Sequence, residues 1–201
     1  MKNILILNGG HPFAHSPGAF NKTLLETTEA FFTAKKGYTV RTTQVAESYE
    51  LQKEVEKFTW ADLIIYHTPI WWFQLPFGFK TYLDKVLTHG HQKGMYESDG
   101  RTRKNPAINY GTGGSLHGKK YIITTSWNAP EEAFTLAGEF FDQKSVDEGV
   151  LFGFHKMNQF LGLEHLDSKH FHDVEKNADV PKALLDYTAF LEHNFEEVLQ
   201  D

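Results

Sequence analysis

The sequence predicts an α/β domain in which a parallel β-sheet is covered by helices on both faces. Short, nearly unbroken apolar runs such as "NILIL" (Asn3–Leu7) and "DLIIYHTP" (Asp62–Pro69) read as strands buried on both sides. Between such runs lie longer segments whose apolar residues recur at helical spacing. Alternation of this kind joins parallel strands through right-handed crossovers. No composition shift, Pro/Ser-rich linker, internal repeat or low-complexity tract divides the chain, so residues 1–201 read as one domain with a substantial core.

The elements follow in order. "NILIL" ends at Asn8, Gly9 and Gly10, which close the first strand. "NKTLLETTEAFFTAKK" carries Leu24, Leu25, Phe31 and Phe32 at helical spacing and stops at Gly37, a residue suited to ending a helix. "YTVRTTQV" alternates as a more exposed strand, "EVEKFTWA" is a short helix, and "DLIIYHTP" is a second buried strand. "PFGFKTYLDKVL" predicts a helix opening at Pro76, where the missing N–H of proline costs nothing. "KKYIITTSW" is a fourth strand and "EEAFTLAGEFF" a further helix. The alternation runs on to "PKALLDYTAFLEHNFEEVL", an amphipathic helix near the end of the chain.

Composition narrows the chemistry. A formal net charge of -6 argues against a general attraction to nucleic acid or to an anionic membrane surface. With no cysteine, disulfides, thiolate catalysis and Cys-ligated zinc or iron–sulfur sites are excluded, so any redox chemistry must come from a bound cofactor. No apolar run approaches the ~18 residues a membrane helix needs, and "ILIL" is too short for a signal segment. The expectation is a cytoplasmic protein without stable membrane insertion. The aromatic share of 14%, with Phe 17 and Trp 4, is high and asks for an explanation.

In open parallel sheets, ligands bind outside the carboxyl ends of the strands. Three loops converge there: "NGGHPFAHSPGAFN", "HTPIWWFQLP" and "TSWNAPEEAF". The first combines Ser16, Gly18, Asn21 and Thr23 with a helix start, a combination that can cradle a phosphate. It is neither GxGxxG nor a Walker loop, and an ordinary turn capped by Ser16 explains it equally well. In the second, Trp71, Trp72 and Phe73 can wall a flat slot for a planar ligand, or else cover the core or a dimer partner. In the third, Ser126, Trp127 and Asn128 offer free backbone N–H groups of the kind an isoalloxazine needs, although a satisfied turn reads the same way. Cradle, slot and donors together describe a flavin site.

These blocks carry a resemblance. "FAHSPGAFN", "PIWWFQLPFGFKTYLD", "YESDGRTRKNP", "YGTGG", "TSWNAPEEAF" and "FHKMNQFLG" together resemble the modulator of drug activity B family, flavodoxin-like NAD(P)H:quinone oxidoreductases distantly similar to DT-diaphorase. The resemblance runs from about Asn3 to the C-terminal helix. It implies a flavodoxin-like fold, FAD as cofactor, NADPH or NADH as hydride donor, a quinone as substrate, and a homodimer with flavin near the subunit boundary. Two-electron reduction would proceed by successive hydride transfers through flavin N5.

Position by position, Ser16, Pro17, Gly18, Ala19, Phe20, Asn21, Lys22 and Thr23 resemble the family's pyrophosphate segment. Pro69, Ile70, Trp71 and Trp72 resemble its isoalloxazine wall, Ser126, Trp127, Asn128 and Ala129 its flavin-ring donors, and Tyr110 its remaining FAD contact. The insertion between Thr88 and Lys119 is implied to shape the site. Trp72, Phe73 and Phe134 are expected to wall the slot. Phe134 stands where DT-diaphorase has a tyrosine used in proton handling; it has no proton to give, so that relay is not carried over.

The histidine pairs His89/His91 and His170/His172 lack an identifiable third ligand, so no metal site is expected from them. Arg101, Arg103 and Lys104 suit the 2′-phosphate of NADPH but read more simply as a solvated charged loop. The competing reading is an FMN-bearing electron carrier of the flavodoxin kind, which would pass single electrons to a protein and need no substrate slot.

Overall fold

In the computed structural model, which describes residues 2–14 and 16–199 with side chains to Phe195, five strands form one sheet in the order β2-β1-β3-β4-β5, all neighbours parallel. The strands are β1 (Lys2–Asn8), β2 (Tyr38–Gln44), β3 (Leu63–Pro69), β4 (Lys120–Ser126) and β5 (Glu164–Phe171). The helices are α1 (Ala19–Thr33), α2 (Leu51–Trp60), α3 (Phe77–His89), α4 (Glu132–Thr135), α5 (Phe152–Leu161) and α6 (Val180–Leu199).

The unbroken apolar runs have a geometric cause. Side chains alternate across a strand, so Ile4 and Ile6 of β1 join Leu24, Phe32 and Leu191 of α1 and α6 in one core cluster. Leu5 and Leu7 face the other way, into a cluster with Val55, Phe58, Leu83 and Phe154 of α2, α3 and α5. The expected two-faced sheet is therefore present. The chain leaves β1 toward β2 on one side and returns to β3 on the other, so the strand order reverses between β1 and β3. A crevice at the carboxyl ends follows from that reversal.

The predicted helix over Glu131–Phe141 shrinks to α4. Leu136 adopts an extended conformation, Gly138 takes a left-handed φ of 83°, and the chain doubles back so that the Phe141 N–H donates to Ala133 O at 3.1 Å. The reversal lays Phe141 flat on Phe134, with ring centroids 3.9 Å apart and planes 6° apart. Ring packing outweighs helical propensity here. The polar edge strand β5 and helix α5 before it are elements the sequence pattern did not delimit.

Candidate functional site

Helix α1 begins at the crevice in an unusual way. Its N-cap is Gly18, at φ 73°, with no side-chain hydrogen bond to the helix and no acidic residue in the first turn. Capping by Ser16, the simpler alternative, is therefore not what the chain does: Ser16 instead pairs its backbone with Phe13 through two 2.9 Å hydrogen bonds. The first N–H groups of a helix have no intrahelical acceptors and carry positive potential, so α1 presents a ready anion site. Asn21, buried in that first turn, donates from Nδ2 to Ser126 Oγ at 2.9 Å, while its Oδ1 is buried without a partner.

After β3 the chain turns within four residues. Trp71 and Gln74 exchange two backbone hydrogen bonds of 3.0 Å, and the residues between them, Trp72 and Phe73, both have positive φ, 48° and 62°. Such a turn ordinarily takes Asn-Gly, because only small residues adopt φ > 0 freely. Two large rings here store backbone strain, and strain of this kind clusters at ligand sites. The turn lifts Trp72 to 90% exposure and Phe73 to 45%. Phe73 stacks on Phe140 at 5.3 Å, whereas Trp71 packs inward against His11 at 4.8 Å and Phe13 at 5.0 Å. His11, Phe13 and Phe77 thus belong to the aromatic wall. No local pattern marks this wall, because the rings come from two loops and the start of α3.

The loop after β4 is tied down rather than open. The Trp127 amide, expected to be a free donor, donates to Phe171 O at 2.8 Å, because β5 continues the sheet beside it. Ser126 O accepts from the Ile70 N–H at 3.0 Å, and Ala129 O from the Asp173 N–H at 3.1 Å. The Trp127 indole is buried and donates to Thr125 Oγ1 at 2.7 Å. Asn128 is exposed at the loop's tip. Phe134, expected to wall the slot, is buried between Phe141 and Trp127.

Beneath the loops, His67 of β3 reaches Thr28 of α1 at 3.0 Å and Thr124 of β4 at 2.7 Å. Burial pushes its pKa down to about 3, so the ring is neutral. Pro69 and Ile70 are buried at the end of β3, beside the β4 loop. Tyr110 is 70% exposed, and its ring meets Phe160 and the Arg101 guanidinium, which also grips Asp99 through two hydrogen bonds of 2.9 and 2.6 Å. The structure thus gathers the cradle, the aromatic turn and the β4 loop; the recorded ring contacts of Tyr110 lie within its own insertion and α5.

Beside the cradle, Phe20, Lys169, His172, Val180 and Lys182 line a cavity of about 300 Å³ between α1, β5 and α6. No sequence signal marked it, since its walls are scattered along the chain.

A family model described as flavodoxin-like fold matches residues 2–191. The NADPH:quinone oxidoreductase MdaB of Haemophilus influenzae is 47% identical over 194 residues, covering 96% of this chain and 99% of that protein. An uncharacterised protein of Schizosaccharomyces pombe is 46% identical, covering 96% of each. Among solved structures, a putative quinone reductase from Klebsiella pneumoniae superposes with a TM-score of 0.73 at 19% identity, covering 100% of this chain and 86% of that one. General stress protein 14 of Treponema denticola, solved with FMN, gives 0.65 at 21% identity, covering 96% and 99%. These two structural likenesses speak for the fold.

Proposed function

The chain belongs to the flavodoxin-like family of the NADPH:quinone oxidoreductase MdaB, and from that premise we propose that it is an FAD-dependent NADPH:quinone oxidoreductase acting as a cytoplasmic homodimer. The observation that carries the reading is the pairing, across one crevice, of an uncapped helix terminus with a strained turn that raises Trp72 and Phe73. The first suits a pyrophosphate, and the second a planar ring. The buried, unpartnered Asn21 Oδ1 supports a ligand at the same place, since buried polar atoms are normally satisfied.

Residues Ser16 to Thr23 would hold the pyrophosphate; Pro69 to Trp72 and Ser126 to Ala129 would hold the flavin ring, with Tyr110 as the remaining contact. The 300 Å³ cavity beside Phe20 supports FAD over FMN through the room it offers beyond the cradle; its lysines, Lys169 and Lys182, are balanced by Glu131, Asp179 and Asp186 in the same lining. A bound flavin supplies a two-electron carrier at N5, so that a hydride equivalent from NADPH reaches a quinone without single-electron release. Trp72 and Phe73, backed by Phe134, would exclude water from the slot and align donor and acceptor in turn. Phe134 carries no proton, so the proton for the reduced quinone comes from elsewhere.

The rings of Trp72, Phe77, Tyr110 and Phe140 are exposed in the single chain, and this favours a second copy covering the site. No helix among the described residues is long and apolar enough to cross a membrane. Steady-state rates over a grid of NADPH and menadione concentrations test the reading: parallel double-reciprocal lines are expected, and intersecting lines would remove the shared slot. Sedimentation equilibrium at micromolar concentration should give a dimer.

A further inference from the structure

Away from the crevice loops, Asp147 gathers three histidines at the β5 edge of the sheet. His155 lies on α5, and His165, Ser168 and His170 lie on β5. His155 Nε2 is 2.8 Å from Asp147 Oδ1, and Ser168 Oγ donates to the same oxygen at 2.8 Å. His165 Nε2 sits 2.9 Å from Ser168 Oγ. One ligand atom from each of Asp147, His155 and His165 lies within 4.8 Å of the others.

Hydrogen-bond direction separates the third histidine from this group. Thr125 Oγ1 accepts the Trp127 indole N–H, which leaves its own proton for His170 Nδ1, 2.7 Å away. His170 Nε2 then carries its proton toward Asp147 Oδ2, at 3.3 Å, and has no lone pair to offer. On the Oδ1 side the Nε2 protons of His155 and His165 point at Asp147 and Ser168, and each moves to Nδ1 when Nε2 ligates an ion, a change that the Thr125 proton on Nδ1 denies to His170. His165 is exposed, yet its ring turns inward to lie 4.5 Å from His155 and 5.1 Å from Tyr121. Partial desolvation of the inward-turned ring and the neighbouring His155 lower its pKa. Asp147 is held well below the usual carboxylate range: burial would raise it, but hydrogen bonds from His155 and His170 outweigh that.

We propose that Asp147, His155 and His165 bind a divalent late first-row transition metal ion of the zinc class, at a site separate from the crevice. Two imidazoles and a carboxylate, with no sulfur, suit such an ion and leave a fourth position for water. Metal–ligand lengths of about 2.0–2.2 Å require the donor atoms to draw closer, and a turn of the exposed His165 ring supplies that movement. Tyr121 OH lies 2.6 Å from His155 Nδ1 and orients the ring from the second layer, as metal-bound histidines require. With Nε2 on the ion, His155 takes the tautomer that carries its single proton on Nδ1, which then donates to the Tyr121 oxygen, and no net proton is released. The proposal is independent of the quinone reaction.

The test is calorimetric titration of ZnCl2 into chelator-dialysed, flavin-loaded protein, with His165→Ala, Asp147→Asn and, as a surface control, His89→Ala. One zinc per chain is expected, weakened at least about tenfold by His165→Ala and Asp147→Asn and unchanged by His89→Ala. If Asp147→Asn does not fold, the exposed His165 variant decides. Absence of binding, zinc bound equally well by His165→Ala, or loss confined to His89→Ala would each overturn the site.

Discussion

The two loops that meet through Asn21 and Ser126 are built on opposite plans. After β4, the amide and indole of Trp127 and the carbonyls of Ser126 and Ala129 all have protein partners. At the start of α1, Gly18 supplies no side-chain cap, the first turn contains no acidic residue, and Asn21 Oδ1 is buried unpaired. Buried polar groups are expensive to leave unsatisfied, so the difference separates a wall that the fold holds in place from a cradle whose partners come from outside.

Acid should act most strongly on the joint beneath both loops. His67 is neutral in the folded protein, with a pKa of about 3 against 6.5 when exposed. The unfolded chain therefore takes up a proton between those values and the folded chain does not. This contribution is complete above pH 6.5 and is lost as pH falls toward 3, by on the order of 3 kcal/mol at pH 4. Urea unfolding at pH 7 and pH 4 should show His67→Gln losing less stability than the parent; an identical loss would mean that His67 does not govern the acid response.

Filling the cradle should abolish the contrast. Gly18→Asp places a carboxylate where an anion is expected, and Asp tolerates a left-handed φ. FAD affinity of the apoprotein should fall about a hundredfold, the scale of a lost charge-assisted contact with added repulsion, while stability falls by only about 1 kcal/mol, the left-handed backbone cost less the few tenths that Asp gains over Gly as a cap. Unchanged FAD binding would show that the α1 terminus holds no phosphate.

The smallest effect concerns the turn. Trp72→Gly should relieve a positive φ and raise stability by about 1 kcal/mol. It should also weaken flavin binding by about 1 kcal/mol through the lost ring contact. A melting curve and a flavin titration on the same variant check both signs; a drop in stability would mean that Trp72 packs structurally.

The legible parts of the fold were those whose cause is local. β1 and β3 stood out because burial on both faces forces an unbroken apolar run, and α1 because Leu24, Leu25 and Phe32 share one buried stripe. The helix over Glu131–Phe141 failed because the pairing of Phe134 with Phe141 and the left-handed Gly138 are tertiary facts. The Trp127 amide looks free in the sequence for the same reason: its acceptor, Phe171 O, lies on a polar edge strand with weak patterning. Ser16 and Asn21 could be placed at a cradle from sequence, but that Gly18 and not Ser16 stands at the cap follows only from backbone geometry. His11 and Phe13 carry no local mark of their place in the wall, because their partner Trp71 is more than fifty residues away in the chain.

On the reading above, the uncapped α1 terminus and the cavity beside Phe20 together accept a dinucleotide flavin, with the Trp71–Gln74 turn against its ring. Denaturing the purified protein, identifying the released cofactor by mass and quantifying it per chain tests this directly. Yellow protein that releases FAD at one equivalent per chain is the expected result. Protein carrying only FMN at full occupancy, or colourless protein that fails to take up added FAD, would contradict it.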